Sequence, residues 1–310
     1  MYVIVGATGH VGRLIAESLL EHGKAVGAMG RNSERLKALV KMGAQPMIGS
    51  LEDPAFVARS FSGAEAVFTM IPPQPYARDF RAFQTRVGTA IAASLVDSGV
   101  RYVVNLSSLG AHLNDRTGLI AGLHEQEERL NALSGLHVMH LRPAFFMENL
   151  LFNIDLIKAN GINGTPLKGD LRFPVIAVED VARAAAENLL FLTFKEISVR
   201  ELLGQRDLTM REMTRILGKA IGQPTLQYVE FSYEETCSAM INAGISRDVA
   251  RLYAEMYKAF NEGRVTSGLV RSDRNTTETP FEKFAKQFAA LYVRGDGRPA
   301  VKEKELALQQ

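Results

Sequence analysis

The N-terminal segment constrains the fold more than any other part of the chain. A short apolar run at residues 2–5 is followed at once by Gly6, Gly9 and Gly12, three residues apart. From residue 11 to residue 20, apolar side chains recur at helical spacing while charged side chains occupy the opposite face. This order predicts a buried strand, a tight glycine turn and an amphipathic helix, which together form the first unit of an open parallel sheet.

Short apolar runs alternate with segments of helical period through the first half of the chain. Helix signals separate them: Gly23 suits the left-handed position after the first helix, Ser33 precedes the second, and Asp53-Pro54 begins the third. Because strand-helix-strand crossovers are right-handed, the pattern predicts an α/β fold with a doubly wound parallel sheet and helices on both faces. The predicted strands are residues 2–5, 25–29, 46–48, 66–71, 102–106 and 138–141.

The alternation weakens after Pro143, where we expect a smaller, mostly helical unit. Residues 149–160 and 179–192 are predicted helices, 161–169 a loop and 175–177 a strand. Because this unit follows the strands, we expect it to cover the carboxyl ends of the sheet on the substrate side. The predicted organisation is a main domain at 1–150 with a returning segment at about 172–192, a smaller substrate-side subdomain at 151–171 and 193–292, and a mobile tail at 293–310.

Composition argues against several classes of function. The 310 residues have a formal net charge of +2, which leaves no basic field for nucleic acid. No apolar run approaches the roughly 18 residues of a membrane span, and no basic signal segment precedes the first strand. The single cysteine, Cys237, forms no internal disulfide and leaves a Cys-based zinc site without ligands. We expect a cytoplasmic monomer or homodimer with no nucleic acid, membrane or metal partner.

The glycine turn is a candidate nucleotide-binding site. Gly6 permits a tight turn, Gly9 lets the backbone approach a pyrophosphate, and Gly12 lets the helix pack closely on the strand. The helix N-terminus adds free N–H groups and the positive end of its dipole. The spacing differs from the common Gly-x-Gly-x-x-Gly pattern, and the alternative is a glycine turn that binds no ligand. The predicted contacts of the nucleotide here are Gly6, Thr8, Gly9, His10, Val11 and Gly12.

The segment after the second strand indicates which dinucleotide is bound. In this position a carboxylate would hold the ribose 2′-hydroxyl of NAD, but the chain has Arg31-Asn32-Ser33. An arginine pairs with a 2′-phosphate, and Asn32, Ser33 and Arg35 add hydrogen-bond donors. We therefore predict NADP(H) as the cofactor, with Arg31, Asn32 and Ser33 in contact with it. The alternative is a surface arginine in a loop.

Several further segments occur in the order found in one known family. Together with the glycine turn and Arg31-Asn32, these segments make the chain resemble the NmrA-like branch of the atypical short-chain dehydrogenases. The resemblance covers about residues 1–190, and Leu203-Gly204 with the later helices extends it to about residue 290. The resemblance implies a Rossmann fold that binds NADP(H). The segments are Asn105-Leu106-Ser107-Ser108, Gly110-Ala111, His124-x-x-x-Glu128 with Leu130, Leu141-Arg142-Pro143, Phe146-Met147-Glu148-Asn149 and Val178-Glu179-Asp180-Val181-Ala182.

The chain departs from the related alcohol-oxidising enzymes at the catalytic pair. Those enzymes use Tyr-x-x-x-Lys, in which the lysine lowers the pKa of the tyrosine, whereas residues 120–124 of this chain read Ile-Ala-Gly-Leu-His. His124 occupies the position of the lysine and is the candidate catalytic residue, as a proton donor or a partner of the nicotinamide ribose. The alternative is a solvent-facing helical histidine. His124 and Glu128 are also spaced like two metal ligands, but no further ligand accompanies them.

Residues at the ends of the later strands complete the predicted site. The segment around Pro72 supplies rigid apolar contacts on the adenosine side, and the serine pair after the fifth strand supplies hydroxyls near the nicotinamide, although such pairs also begin many turns. By the resemblance, the chain passes the nicotinamide after Pro143, where an aromatic cluster is otherwise part of the core. The predicted contacts are Ile71, Pro72, Ser107, Ser108, Pro143 and Phe145 for the cofactor, and Phe146 and Met147 for the substrate.

Two functions remain open at this point. The resemblance covers NADPH-dependent quinone, azo-dye and triphenylmethane reductases as well as redox-sensing regulators that bind NADP without turnover. We expect a reductase that transfers hydride from NADPH to a small aromatic or conjugated acceptor, quinone-like or dye-like, because the cofactor itself carries the reactive bond. The alternative is a non-catalytic NADP(H) redox sensor that acts through a regulatory protein partner, since the acid-base pair of the dehydrogenases is missing.

Overall fold

A computed structural model describes residues 1–294 of the chain. In this part of the chain, no helix is long and apolar enough to cross a membrane. Most of the predicted tail at 293–310 lies outside the described residues. The strands are β1 (Tyr2–Ile4), β2 (Val26–Gly30), β3 (Gln45–Ile48), β4 (Ala66–Met70), β5 (Tyr102–Leu106), β6 (His137–Pro143), β7 (Phe145–Phe146), β8 (Ile162–Thr165), β9 (Phe173–Ile176), β10 (Ile197–Leu202), β11 (Asp207–Leu208) and β12 (Gln227–Glu230).

Helices follow most of the strands, and two 3₁₀ segments lie among them, at Gly118–Ile120 and Met147–Asn153. The helices are α1 (His10–Glu21), α2 (Ser33–Lys41), α3 (Pro54–Phe61), α4 (Phe80–Ser98), α5 (Ala121–Asn131), α6 (Ile154–Asn160), α7 (Val178–Phe191), α8 (Met210–Ala220), α9 (Tyr233–Asn242), α10 (Arg247–Asn261) and α11 (Phe281–Arg294).

The central element is a seven-stranded parallel sheet in the order β10-β6-β5-β4-β1-β2-β3. The chain therefore builds outward from β1 in one direction, returns to β4 beside β1, and builds outward in the other direction. This confirms the predicted doubly wound α/β fold. The reversal between β1 and β4 leaves a crevice at the carboxyl ends of these two strands, which is where such sheets bind ligands.

Alternating side chains of the central strands enter two separate cores, one on each face of the sheet, whereas the edge strands β3 and β10 are mostly exposed or half-buried. In β1, Ile4 packs in the core covered by α1, α2 and α7, while Val3 packs in the core covered by α3, α4 and α5. Both side chains are completely buried. The continuous apolar composition of the predicted strands follows from this burial on both faces.

The helix boundaries have the local causes expected from the sequence. At the end of α1, Gly23 has φ +70, and the N–H groups of Gly23 and Lys24 donate to the carbonyls of Leu20 and Leu19. Before α3, Asp53 Oδ1 accepts from the N–H groups of the first turn, at 3.0 and 3.2 Å. These caps place the helices against the sheet.

The C-terminal half differs from the prediction in three places. The expected loop at 161–169 contains β8, which pairs in parallel with β12, so the smaller unit is less helical than predicted. The expected helix at 149–160 begins as the 3₁₀ segment Met147–Asn153 and becomes α6 only at Ile154. Residues 197–202, assigned to the smaller unit, form β10 at the edge of the main sheet beside β6. In each case the conformation depends on a partner distant in sequence, which local periodicity does not reveal.

Candidate functional site

The glycine turn between β1 and α1 is closely packed against itself. Gly6 has φ +69, a conformation that favours glycine, and its carbonyl accepts from the N–H of Gly9 at 2.9 Å. A Cβ atom on Gly12 would lie 2.4 Å from the same carbonyl oxygen, so only glycine allows α1 to approach the turn. Gly9 is exposed and presents bare backbone at the head of α1. The turn thus has the shape that the predicted pyrophosphate contact requires.

The N-terminus of α1 is available to an anion. Its N-cap residue is Gly9, which has no side chain to cap the first turn, so the free N–H groups there have no side-chain acceptor. Desolvation, together with the nearby cations Arg13 and Arg35, lowers the pKa of His10. The imidazole of His10 is therefore neutral at physiological pH, and the helix dipole and the arginines supply the positive potential at this end.

The residues after β2 adjoin the glycine turn. Arg31 is exposed, and among the described residues its guanidinium has no hydrogen-bond or ion-pair partner. Asn32 is the N-cap of α2, where its Oδ1 accepts from the N–H groups of Glu34 and Arg35 at 2.9 and 3.3 Å. Arg35 donates to the Thr8 carbonyl at 3.2 Å, which ties α2 to the glycine turn. Of these cations, Arg31 is therefore free to bind a ligand phosphate.

The loop after β4 borders a cavity of about 300 Å³. Ile71 is buried and Pro72 is half-buried at the start of this loop. The cavity lies beyond them, and Glu52 and Arg86 are paired at its rim at 3.0 Å. Its other lining residues are Gln74, Tyr76, Ala77, Arg78, Asp79 and Phe83.

The end of β5 contains a buried charged cluster that sequence reasoning missed. The Ser107 hydroxyl donates to the carboxylate of Glu127, and Arg142 Nε donates to the same carboxylate at 3.0 Å. Glu127 is only 2% exposed. In the sequence, the burial of Glu127 could have been recognised from its position on the same helical stripe as Leu123 and Leu130, where a charged residue is unexpected. The Ser107 hydroxyl is therefore oriented by Glu127, while Ser108 donates to the Leu109 carbonyl at 2.9 Å.

His124 lies on α5 beside the segment that follows β5. Its Nδ1 is 2.9 Å from the Ala111 carbonyl oxygen, and because a carbonyl only accepts, Nδ1 carries the proton. The side chain is half-buried, and Nε2 has no partner among the described residues. The ring is thus held in one orientation with one nitrogen left to act on a ligand.

A chain of polar side chains, of which all but Asn131 are buried, ties together the three strands beneath this edge. Thr69 donates to Asn105, Asn105 Nδ2 donates to His140 Nδ1, and His140 Nε2 donates to Asn131, at 3.1, 3.1 and 2.9 Å. Burial lowers the pKa of His140, although Glu127 opposes this shift. The neutral imidazole fits the hydrogen-bond pattern, because its Nδ1 must accept from an amide N–H. This network fixes β4, β5 and β6 against one another below the site.

The segment after β6 divides between core and surface. Pro143, Phe145 and Met147 are buried, whereas Phe146 is half-buried. The ring of Phe145 meets the rings of Phe173 and Phe260 at centroid distances of 5.7 and 6.5 Å, both edge-on. Of the two predicted substrate contacts, Phe146 therefore retains accessible surface, while Met147 is 1% exposed and packs in the core.

Helix α10 crosses the carboxyl edge of the sheet, where the sequence led us to expect part of the smaller unit. At its start, the Ser246 N–H donates to Pro75 and Asp248 accepts from the Phe80 N–H, each at 2.9 Å, so this end is bound to the loop after β4. In the middle, a Cβ on Gly118 would lie 1.9 Å from the Leu252 carbonyl oxygen. At its end, Phe260 packs on Phe145. The helix thus spans the exits of β4, β5 and β6.

Comparison with known proteins agrees with this architecture. The sequence profile of the NmrA-like family matches residues 2–284. The NAD(P)H azoreductase of Xenophilus azovorans is 26% identical over 295 residues, which are 94% of this chain and 99% of that enzyme. Quinone oxidoreductase 2 of Escherichia coli strain K12 is 26% identical over 258 residues, which are 82% of this chain and 86% of that enzyme.

A solved structure shows the same fold over nearly the whole chain. The triphenylmethane reductase of Citrobacter sp., complexed with NADP(H), matches with a TM-score of 0.79 and 20% sequence identity, over 93% of this chain and 100% of that chain. The profile match extends through the glycine turn, the strand ends and most of the C-terminal unit. The chain belongs to the NmrA-like family.

Proposed function

We propose that this protein is an NADPH-dependent oxidoreductase that reduces a small conjugated acceptor, quinone-like or dye-like. The observation that carries the proposal is the common placement of the bare glycine turn, the unpaired Arg31 and the oriented His124 along the carboxyl edge of one sheet. The relatives support the reaction class, since they include an azoreductase and a quinone oxidoreductase that align over most of this chain.

The residues present fit a phosphorylated dinucleotide. Backbone N–H groups at the head of α1 suit the pyrophosphate, because Gly9 leaves them uncapped and Gly12 brings the helix against the turn. Arg31 suits a 2′-phosphate, since its guanidinium is exposed and unpaired among the described residues. Beyond Pro72, the cavity beside the β4 exit suits the adenosine side. NADPH rather than NADH is therefore the proposed reductant.

The protein's part in the reaction is mainly to position the reactants. When bound, the reduced nicotinamide supplies the hydride, and the protein need not provide a covalent intermediate. His124 presents Nε2 with Nδ1 held by the Ala111 carbonyl, so it can hold a ribose hydroxyl or deliver a proton to the reduced acceptor. The Ser107 hydroxyl donates to Glu127, which also accepts from Arg142, so this cluster orients the end of β5 beside the proposed site.

Oxidation of NADPH with a panel of acceptors tests the proposal. The loss of NADPH absorbance is followed with quinones, azo dyes, triphenylmethane dyes and enals, and Gly9→Val serves as a variant unable to bind the pyrophosphate. We expect turnover with at least one quinone or dye, and none in the variant. Tight NADPH binding without any turnover would reject the reductase and favour the redox sensor. The absence of the Tyr-x-x-x-Lys pair is also consistent with a sensor.

The sensor would need a physical output. A regulatory partner can respond only if NADP and NADPH favour different conformations, because a ligand with equal affinity for two states shifts neither. Limited proteolysis of the whole protein in the presence of each cofactor form would show such a difference as a changed pattern of fragments. We also propose a cytoplasmic location, because a single half-buried cysteine, Cys237, is suited to a reducing compartment.

A further inference from the structure

Two tyrosines in the middle of α10 form a stacked pair. The ring centroids of Tyr253 and Tyr257 are 6.3 Å apart, with an angle of 29° between the planes. Both side chains are half-buried. Among the described residues, neither hydroxyl has a hydrogen-bond partner. This contrasts with Tyr228, whose hydroxyl is bound by Thr165 and the Leu167 carbonyl. The α10 pair therefore has donors that the protein itself does not use.

The pair lies over the carboxyl edge of the sheet. Tyr253 packs against the core under α3 and α4, while Tyr257 packs against the core under α1 and α7, so together they bridge the two faces. Leu123, next to His124 on α5, packs against both cores as well. The two ends of α10 are held beside the segments that follow β4 and β6, and between them the backbone of α10 lies against Gly118, in the segment that follows β5.

The environment keeps both phenols protonated. Burial raises the pKa of Tyr253. Burial also raises the pKa of Tyr257, and the neighbouring hydroxyls of Tyr253 and Tyr228 make a smaller contribution in the same direction. A protonated phenol donates a hydrogen bond, and its ring offers a flat apolar surface. These are the two properties needed to bind a planar conjugated molecule with a carbonyl or similar acceptor atom.

We propose that Tyr253 and Tyr257 bind the electron acceptor, with their rings against its conjugated plane and a tyrosine hydroxyl donating to its carbonyl oxygen. This inference rests on the proposed reductase function and names the substrate-binding element for it. It also assigns a consequence for specificity: quinones use both the rings and the hydroxyls, whereas a triphenylmethane cation, which has no carbonyl, uses only the rings.

Tyrosine-to-phenylalanine variants, which remove only the hydroxyl group, test the proposed hydrogen bonds. Tyr253→Phe, Tyr257→Phe and the double variant are compared with Tyr102→Phe, a half-buried tyrosine at the opposite edge of the sheet that packs on His137 and Phe194. Loss of a hydrogen bond is expected to raise KM for a quinone by about 3- to 10-fold in at least one single variant and in the double variant. KM for NADPH and for the triphenylmethane dye should stay within about twofold, and the control should behave as wild type.

Ring removal tests the stacking surface. Tyr253→Leu and Tyr257→Leu are expected to raise KM for both the quinone and the dye, and the Phe variants decide the matter for the hydroxyls if a Leu variant fails to fold. Unchanged KM values in the double Phe variant, with wild type active, would overturn this inference and leave the reductase intact. A wild type that binds NADPH but reduces no acceptor would overturn both. A KM for NADPH that rises together with that for the quinone would mean a structural role for the pair.

Discussion

Glu148 is a buried carboxyl group whose ionisation should oppose folding. Its Oε1 accepts from the Val178 N–H at the start of α7, at 3.0 Å, while Oε2 is buried and has no partner among the described residues. Burial raises the pKa of Glu148 to about 7, although the hydrogen bond from Val178 acts to lower it. The nearby carboxylates of Glu179 and Asp180 raise the pKa further. The variant Glu148→Gln keeps the shape and the capping oxygen but carries no charge.

The magnitude follows from the pKa difference between the folded and unfolded chains. A rise from 4.5 to about 7 corresponds to about 3 kcal/mol, since each pKa unit is worth about 1.4 kcal/mol. Between these pH values the folded state binds more protons, so the wild type loses stability as pH rises through this window. Above about pH 7 the loss is complete, and below about pH 4.5 it is absent. The glutamine variant escapes this loss.

Urea unfolding of both proteins at pH 4.5, 6 and 8 measures the effect. The stability of Glu148→Gln relative to wild type should increase by about 3 kcal/mol from the lowest to the highest pH. Glu212→Gln is a control of opposite sign, because hydrogen bonds from Arg172 and Thr209 lower the pKa of Glu212. Because a lowered pKa affects stability only below the unfolded value of about 4.5, its destabilisation should stay nearly constant from pH 4.5 to pH 8 and disappear only at lower pH. A difference between Glu148→Gln and wild type that does not vary with pH would refute the reasoning.

Three further predictions concern the cofactor and the reaction. Arg31→Ala should weaken NADPH binding by about 1.5–3 kcal/mol and leave NADH binding nearly unchanged in a fluorescence titration, because the 2′-phosphate loses a charged hydrogen bond; equal losses would reject this assignment. Gly9→Val should abolish binding of either nucleotide and leave the fold intact, because Gly9 has φ −89, which a valine can also adopt. Retained affinity would mean that the phosphates bind elsewhere. His124→Ala should reduce turnover by about 10²-fold in steady-state assays while cofactor affinity changes far less, whereas unchanged turnover would mean that water supplies the proton.

The glycine turn and the positions of the first six strands could be predicted because their causes are local. The positive φ of Gly6 and the contact of Gly12 with the turn involve residues within a few positions of one another. The stop at Gly23 and the cap at Asp53 are equally local, and α2 is capped by Asn32, one residue before the predicted Ser33. Burial of the strands on both faces makes them continuous apolar runs, which are visible in the sequence without knowledge of their partners.

The buried cluster at the end of β5 shows where such reasoning stops. Glu127 lies in a run of polar residues that resembles a solvated helix face, yet it is buried by Ser107, 20 residues away, and Arg142, 15 residues away. Only the apolar neighbours Leu123 and Leu130 on the same stripe indicated that this position faces inward. The partner of a buried charge depends on which elements meet, and the periodicity of one helix does not contain that information.

The sequence by itself determined the doubly wound sheet and the glycine turn, and it carries the proposal of a 2′-phosphate contact at Arg31, because each depends on residue types at short spacing. The tertiary structure alone decided which helix covers the carboxyl edge of the sheet and which residues it contacts there. Asp248 of α10 meets the Phe80 N–H across 168 residues, and Leu252 lies against Gly118. An amphipathic helix shows that it must bury one face, but the surface that it covers is chosen by packing among all the elements of the fold. The position of the stacked pair Tyr253 and Tyr257 between the two cores is a consequence of that packing.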